Sequence, residues 1–154
     1  MPVKLLPRYR ITRVAEPRSE WTAYRQYANS QEAYNAFRDE MCALDREHFI
    51  AITLDPKNRT IGHHTVSIGS LSGSIVHPRE VYKAAILDGA ASILFLHNHP
   101  SGDPAPSRED RECTDRLCHA GKILGIRVLD HIVIGDQDYF SFADSGLLPS
   151  TATQ

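Results

Sequence analysis

Two histidines and a carboxylate stand close together in the segment "FLHNHPSGDPAPSRED", residues 95–110. His97 and His99 end an apolar run, and side chains two apart on a strand project to the same face, so both imidazoles can converge on one ion. Asp110 falls in the first turn of a predicted helix, where the proline-rich loop can fold back over the strand end. Two histidines and one carboxylate leave a fourth tetrahedral position for water, which is the arrangement of a catalytic zinc site.

The same segment also has a purely structural interpretation. Ser107 and Asp110 have the spacing of a capping box, in which two side chains bond to each other's backbone amides at the start of a helix. The helix dipole also favours an acid in the first turn. The cap and a metal compete for the same carboxylate oxygens, and local spacing by itself favours the cap. Two neighbouring histidines can equally be exposed or hydrogen-bonded without any metal.

Three helices are predicted from capping residues and apolar spacing. Ser30 is expected to cap the first helix, "SQEAYNAFRDEMCALD", whose apolar residues recur at intervals of three and four. The second, "HPREVYKAAILDGA", has a proline near its start and Gly89 at its end. The third follows the cap Ser107 and ends at Gly125.

Five strands complete the predicted architecture. "EHFIAITLD" and "RTIGHHTVSIG" are rich in β-branched residues and are separated by turn residues, so they predict an antiparallel hairpin. "ASILFLHNH" predicts a buried strand that leads into the histidine segment, and "IRVLDHIVIG" and "GDQDYFSF" predict two more. The order α-β-β-α-β-α-β-β predicts a single α/β domain with a mixed central β-sheet flanked by helices.

The composition is that of a soluble globular protein. The chain has 154 residues, which is the length of one domain, with 42% apolar and 23% charged residues. No apolar stretch approaches the ~20 residues of a membrane span, and no signal-like segment follows Met1, so we expect a cytoplasmic protein without membrane contact. Cys42, Cys113 and Cys118 are odd in number and are expected to be reduced thiols.

A local excess of positive charge distinguishes residues 1–29, which carry six Lys or Arg against two Glu. The prolines in this stretch predict an extended, solvated arm, and a contact with DNA or with a partner protein stays open. The net charge of −2 gives no global attraction to nucleic acid. The domain itself is expected over residues 30–146, with a tail over residues 147–154.

The spacing of His97, His99, Ser107 and Asp110 resembles that of the JAMM metalloproteases. His97-x-His99, seven residues, Ser107, two residues and Asp110 reproduce the pattern H-x-H-x7-S-x2-D. The longer text "HPREVYKAAILDGAASILFLHNHPSGDPAPSRED", with "VLDHIVIG" and "YFSF" further on, resembles the RadC branch of that superfamily over about residues 40–146. The resemblance implies a single JAB/MPN-like domain, layered like the cytidine deaminases.

The resemblance also implies roles for individual residues. Three ligands are implied for Zn²⁺: His97, His99 and Asp110. Ser107 would donate a hydrogen bond to the oxyanion of the tetrahedral intermediate. The superfamily takes its general base from a glutamate at an upstream strand start, and Glu47 has that place, whereas the rival Glu80 lies on a predicted helix. The implied activity is hydrolysis of a peptide or isopeptide bond in a protein or peptide substrate.

Other functions stay open on the sequence. The RadC family is associated with DNA repair, so a metal-dependent nuclease or a DNA-binding accessory is one alternative, and a non-catalytic interaction scaffold is another. Typical RadC proteins carry a helix-hairpin-helix DNA-binding region, and none is expected before residue 40, which weakens the first. The complete ligand set argues against the second. The letters H-N-H do not predict the nuclease of that name, whose residues are widely separated, and the P-C-x-x-C signature of zinc deaminases is absent.

The remaining histidines carry weaker predictions. His63 and His64 are adjacent on a strand and must face opposite ways, which indicates surface or packing roles. His131 is expected to be a core residue or a hydrogen-bonding partner of the metal ligands. His77 precedes a helix and is assigned no chemistry.

Overall fold

The computed structural model describes residues 25–69 and 76–149. Eight elements follow in the predicted order: α1 (Ser30–Cys42), β1 (His48–Leu54), β2 (Thr60–Ile68), α2 (Pro78–Asp88), β3 (Ser92–Asn98), α3 (Arg108–Leu124), β4 (Arg127–Ile134) and β5 (Tyr139–Ser141). The predicted α/β fold with a mixed sheet is therefore confirmed. The predicted extended arm falls largely in residues 1–24, and most of the predicted tail in residues 150–154, both outside the described residues.

The sheet has the strand order β2-β1-β3-β4-β5, in which β3 and β4 are parallel and the other neighbours antiparallel. Parallel neighbours need a crossover connection, and α3 supplies it. Because α3 follows β3 directly, its first turn comes to the end of the sheet where β3 stops. The antiparallel β1 begins at that same end.

Helices cover both faces of the sheet. Tyr34, Phe37 and Met41 of α1 pack with the residues of β1, β3 and β4 that point to one face. Helices α2 and α3 pack on the other face, where Phe49 and Phe95 belong to their cluster. Side chains alternate along a strand, so the odd-numbered residues of β3 face α2 and α3, and the even-numbered residues face α1.

The helix caps agree with the sequence at two of the three helices. Gly89 and Gly125 end α2 and α3 in the left-handed conformation, as predicted. At α1 the prediction is wrong by one residue, because Asn29 accepts the capping hydrogen bond from the Glu32 amide. The Ser30 hydroxyl instead contacts Tyr139 and Asp144.

The adjacent histidines of β2 face opposite ways, as predicted. His63 stacks on Phe37 of α1, whereas His64 Nε2 lies 2.6 Å from the Asp88 carboxylate at the end of α2. His77 is the N-cap of α2. No helix within the described part of the chain is long and apolar enough to cross a membrane.

Candidate metal centre

The loop between β3 and α3 returns Asp110 to the end of β3. The His99 amide donates to the Ile134 carbonyl (2.9 Å), so this loop starts along β4. Gly102 then turns the chain at φ +83, and its carbonyl accepts from the Asp136 amide (3.0 Å). A Cβ on Gly102 would lie 2.5 Å from the Asp136 carboxylate, so both conformation and space require glycine here. The loop is thereby fixed against β4.

Three potential ligand side chains meet at this end of the sheet. His97 Nε2 lies 3.0 Å from His99 Nε2 and 3.2 Å from Asp110 Oδ1, and His99 Nε2 lies 3.4 Å from Asp110 Oδ2. Two donors bound tetrahedrally at about 2.0 Å from a zinc ion lie about 3.3 Å apart. The side chains of His97, His99 and Asp110 are 0%, 12% and 1% exposed. This cluster can hold a metal ion, with one side toward solvent.

Asp110 serves the helix cap and the metal cluster at once. Its Oδ2 accepts from the Ser107 amide (2.7 Å), and the Ser107 hydroxyl accepts from the Asp110 amide (3.1 Å), which completes the predicted capping box. Its Oδ1 is buried without a hydrogen bond among the described residues. A buried carboxylate oxygen without a partner is costly, and a cation would satisfy it. The two interpretations of the sequence are therefore compatible.

A buried hydrogen-bond chain determines which ring nitrogen of His97 carries the hydrogen in the neutral ring. The Thr114 hydroxyl must donate to the Asp110 carbonyl (2.7 Å), because a carbonyl only accepts, so it accepts from His131 Nδ1 (2.6 Å). Complete burial holds the pKa of His131 well below its usual value, and the ring is neutral. His131 Nε2 is then the acceptor for His97 Nδ1–H (2.7 Å). In the neutral ring of His97, Nε2 then carries a lone pair on the side of the cluster.

His99 reaches the same state through the loop. Its Nδ1 donates to the Asp103 carbonyl (2.8 Å), so in the neutral ring Nε2 carries a lone pair. Two lone pairs only 3.0 Å apart beside a carboxylate require a cation or a proton between them. The Asp110 hydrogen bond, opposed by burial, raises the pKa of His99. Burial disfavours the ionised Asp110 carboxyl, but hydrogen bonds from His97 and His99, when these rings carry a proton on Nε2, outweigh it and hold its pKa well below the usual range.

Glu47 lies at the same end and on the same face of the sheet. Phe49 pairs with His97, and the same register continued outward sets Glu47 opposite His99. The Glu47 carbonyl accepts from the Gly69 amide (2.8 Å), which continues the pairing with β2. The charge of Glu47 also contributes to the raised pKa of His99. Glu47 is half-buried and close enough to this histidine to act on its protonation.

A comparison with known proteins agrees with this geometry. The family model of the RadC-like JAB domain matches residues 27–147. The chain belongs to this family. UPF0758 proteins of Trichlorobacter lovleyi and Syntrophotalea carbinolica are 54% and 50% identical to it over 123 residues, which is 80% of this chain and 54% of each relative. A UPF0758 protein of Bacillus cereus is 53% identical over 118 residues, 77% of this chain and 52% of the relative. The chain thus spans about half the length of these curated relatives.

Two further predicted residues of this RadC-like JAB domain lie in different surroundings. Ser107 is exposed at the start of α3, and because its oxygen accepts from the Asp110 amide, its O–H proton is left to donate. Glu80 is exposed in the first turn of α2, where it pairs with Lys83 (3.1 Å), and this ion pair lowers its pKa. The register therefore places Glu47, and not Glu80, at the end of the sheet that carries the cluster.

Sequence reasoning missed two residues of the RadC-like site. Thr114 lies four residues after Asp110, and this helical spacing on one face is the only signal that could have found it. Asn98 lies between the two ligand histidines and points to the opposite face of β3. Its amide bonds to the backbone on both sides of Glu47.

Proposed function

We propose that this RadC-like JAB domain is a zinc-dependent hydrolase that cleaves a peptide or isopeptide bond. The observation that supports it is the close approach of the three side chains: His97 Nε2 lies 3.0 Å from His99 Nε2 and 3.2 Å from Asp110 Oδ1, and His99 Nε2 lies 3.4 Å from Asp110 Oδ2. In the neutral rings, both Nε2 atoms turn a lone pair inward. Two imidazoles and one carboxylate are a donor set that zinc accepts in catalytic sites. The partly open side at His99 gives water and substrate a way in.

The residues around the cluster have separable tasks in the proposed reaction. When bound, zinc lowers the pKa of a water molecule and polarises the scissile carbonyl. Glu47 takes the proton of the attacking water and passes it to the leaving amine, as general base and then general acid. The Ser107 hydroxyl donates a hydrogen bond to the developing oxyanion. His97, His99 and Asp110 would hold the ion and keep its position fixed.

Metal analysis tests the first part of the proposal. Protein purified without added zinc is expected to carry about one equivalent, and His97→Ala is expected to lose it. His119→Ala is the matched control, because His119 is exposed on α3 and its ring donates to the Asp115 carbonyl of the same helix. Zinc content well below one equivalent that His97→Ala does not reduce would overturn the zinc site.

Digestion of a defined peptide library, read by mass spectrometry, tests the second part. Glu47→Gln is expected to abolish cleavage while it leaves the zinc content unchanged. Glu80→Gln is the control, since it removes an exposed carboxylate that pairs with Lys83. Plasmid and single-stranded DNA are incubated in parallel. Cleavage of DNA instead of peptide, lost in Glu47→Gln, would replace the peptidase proposal by the nuclease alternative.

A further inference from the structure

The ladder between β1 and β3 ends in an unusual way. Its last backbone pair joins Phe49 to His97, and the next pair in this register would join His48 to Asn98. At that point the Asn98 side chain, and not its backbone, makes the hydrogen bonds to β1 and the residues before it. Its Oδ1 accepts from the His48 amide (2.8 Å) and its Nδ2 donates to the Arg46 carbonyl (3.0 Å). Asn98 is only 2% exposed, so this amide is committed to the two bonds.

The two backbone groups that Asn98 binds flank Glu47 on either side. On the other edge of β1, the Gly69 amide donates to the Glu47 carbonyl (2.8 Å). The Arg46 carbonyl also accepts from the ring of His48 (3.0 Å). The backbone of Glu47 is therefore fixed from both neighbouring strands, although it lies just before the first residue of β1.

We propose that Asn98 is a positioning residue that fixes Glu47 for proton transfer, an inference that rests on the proposed hydrolase function. The tripeptide His97–Asn98–His99 then has two tasks. Its histidines bind the ion on one face of β3, and its asparagine holds the backbone of the base from the other face.

The chemistry of the side chain explains why an amide is needed. The position must accept one hydrogen bond and donate another at the same time, which an amide does without charge. An ionised carboxylate can only accept, and it would add a second negative charge next to Glu47. An aliphatic side chain would leave the partly buried His48 amide without its partner Asn98.

The expected effect is on catalysis and not on metal binding. Displacement of a catalytic group by about 1 Å can cost a factor of about 100 in rate. We expect Asn98→Ala to lower kcat about 10- to 100-fold with unchanged zinc content. In a Glu47→Gln background the same substitution is expected to have no further effect, because the group that it positions is already gone.

The variants are chosen to separate positioning from stability. Asn98→Ala removes both bonds. Asn98→Asp keeps the side-chain volume and the acceptor but, when ionised, loses the donor and adds a negative charge, so it is also expected to lower kcat, and it serves if the alanine variant does not fold. Thr53→Val is the matched control, because it removes buried hydrogen bonds from the far end of β1.

Two measurements do not depend on a substrate. Amide hydrogen exchange, followed by NMR, is expected to accelerate at His48 by about tenfold or more in Asn98→Ala. In protein loaded with Co²⁺, the visible spectrum is titrated with pH to follow proton loss from metal-bound water. Glu47→Gln is expected to shift the midpoint of this titration. Asn98→Ala is expected to shift it in the same direction, and Thr53→Val to leave it unchanged.

The outcomes distinguish this inference from the hydrolase proposal. If the unmodified protein cleaves no peptide, the hydrolase proposal fails, and the Co²⁺ titration still decides the role of Asn98. The inference is overturned if Asn98→Ala, with the His48 amide deprotected, keeps the Co²⁺ midpoint of the unmodified protein. It is also overturned if the losses from Asn98→Ala and Glu47→Gln add fully in the double variant.

Discussion

Thr114 offers a way to change the affinity of the proposed site for zinc without contact with the ion. Its hydroxyl donates to the Asp110 carbonyl (2.7 Å) and accepts from His131 Nδ1 (2.6 Å). Thr114→Val replaces it by a side chain of nearly the same shape that can do neither. His131 must then leave its buried Nδ1–H without a partner, or move the proton to Nε2. In the second case His97 has to protonate the atom that faces the ion.

The size of the effect follows from the unsatisfied group. Zinc binding would have to reverse the proton shift and restore a buried N–H without a partner, which costs about 1–3 kcal/mol. This corresponds to an affinity about 5- to 150-fold lower, in line with the roughly 10- to 100-fold typical for residues that support metal ligands. Thr114→Ser keeps the hydroxyl and is expected to bind zinc nearly as well as the unmodified protein.

Competition with a fluorescent zinc chelator at neutral pH measures the difference between the two variants. Denaturant unfolding of the metal-free proteins, run in parallel, separates a change in affinity from a change in stability. The reasoning is refuted if Thr114→Val and Thr114→Ser bind zinc equally tightly, since His131 would then not determine which nitrogen of His97 carries the proton.

Two further predictions concern proton competition and the thiols. Asp110 raises the pKa of His99 above its usual 6.5, so a proton stabilises the metal-free protein below that value, and this contribution is lost as pH rises through the raised pKa. Zinc must displace this proton when it binds. Chelator titrations across pH should therefore show the affinity for zinc falling about tenfold per pH unit on acidification, starting above pH 6.5. An affinity that does not change with pH would contradict this prediction. Burial raises the pKa of Cys113 to about 11 and of Cys118 to about 12. Iodoacetamide should therefore modify only the exposed Cys42 in the folded protein and all three thiols after unfolding, as read by mass spectrometry; labelling of Cys113 or Cys118 without unfolding would count against it.

The sequence predicts the elements and the ligand cluster because both depend on local spacing. Gly89 and Gly125 end two helices through their own backbone conformation. His97 and Asp110 come together because a strand, a short loop and a capped helix follow one another directly. The choice between Asn29 and Ser30 as cap of α1 was not predictable in this way, since both residue types cap helices well.

The supporting residues depend on strand register, which local spacing does not determine. Ile93 pairs with Val128, but Leu94 pairs with Asp130, so Leu129 is an extra residue in β4. Without this irregularity His131 would point to the other face of the sheet, away from His97. The sequence could therefore give the bond of His131 to the ligands only as an alternative to a core role, and the role of Asn98 required the end of the β1–β3 ladder to be known.

The three potential ligands are each supported from behind by a group that makes no contact with the ion. His131 holds His97, the Asp103 carbonyl holds His99, and the Ser107 amide holds Asp110. In the proposed zinc site, these supports and the imidazole donors are expected to select among metals. Mg²⁺ prefers six oxygen ligands in octahedral geometry, and Ca²⁺ takes six to eight. Two of the three supported ligand atoms are imidazole nitrogens, so the proposed site is expected to favour a small tetrahedral ion such as zinc over either of them.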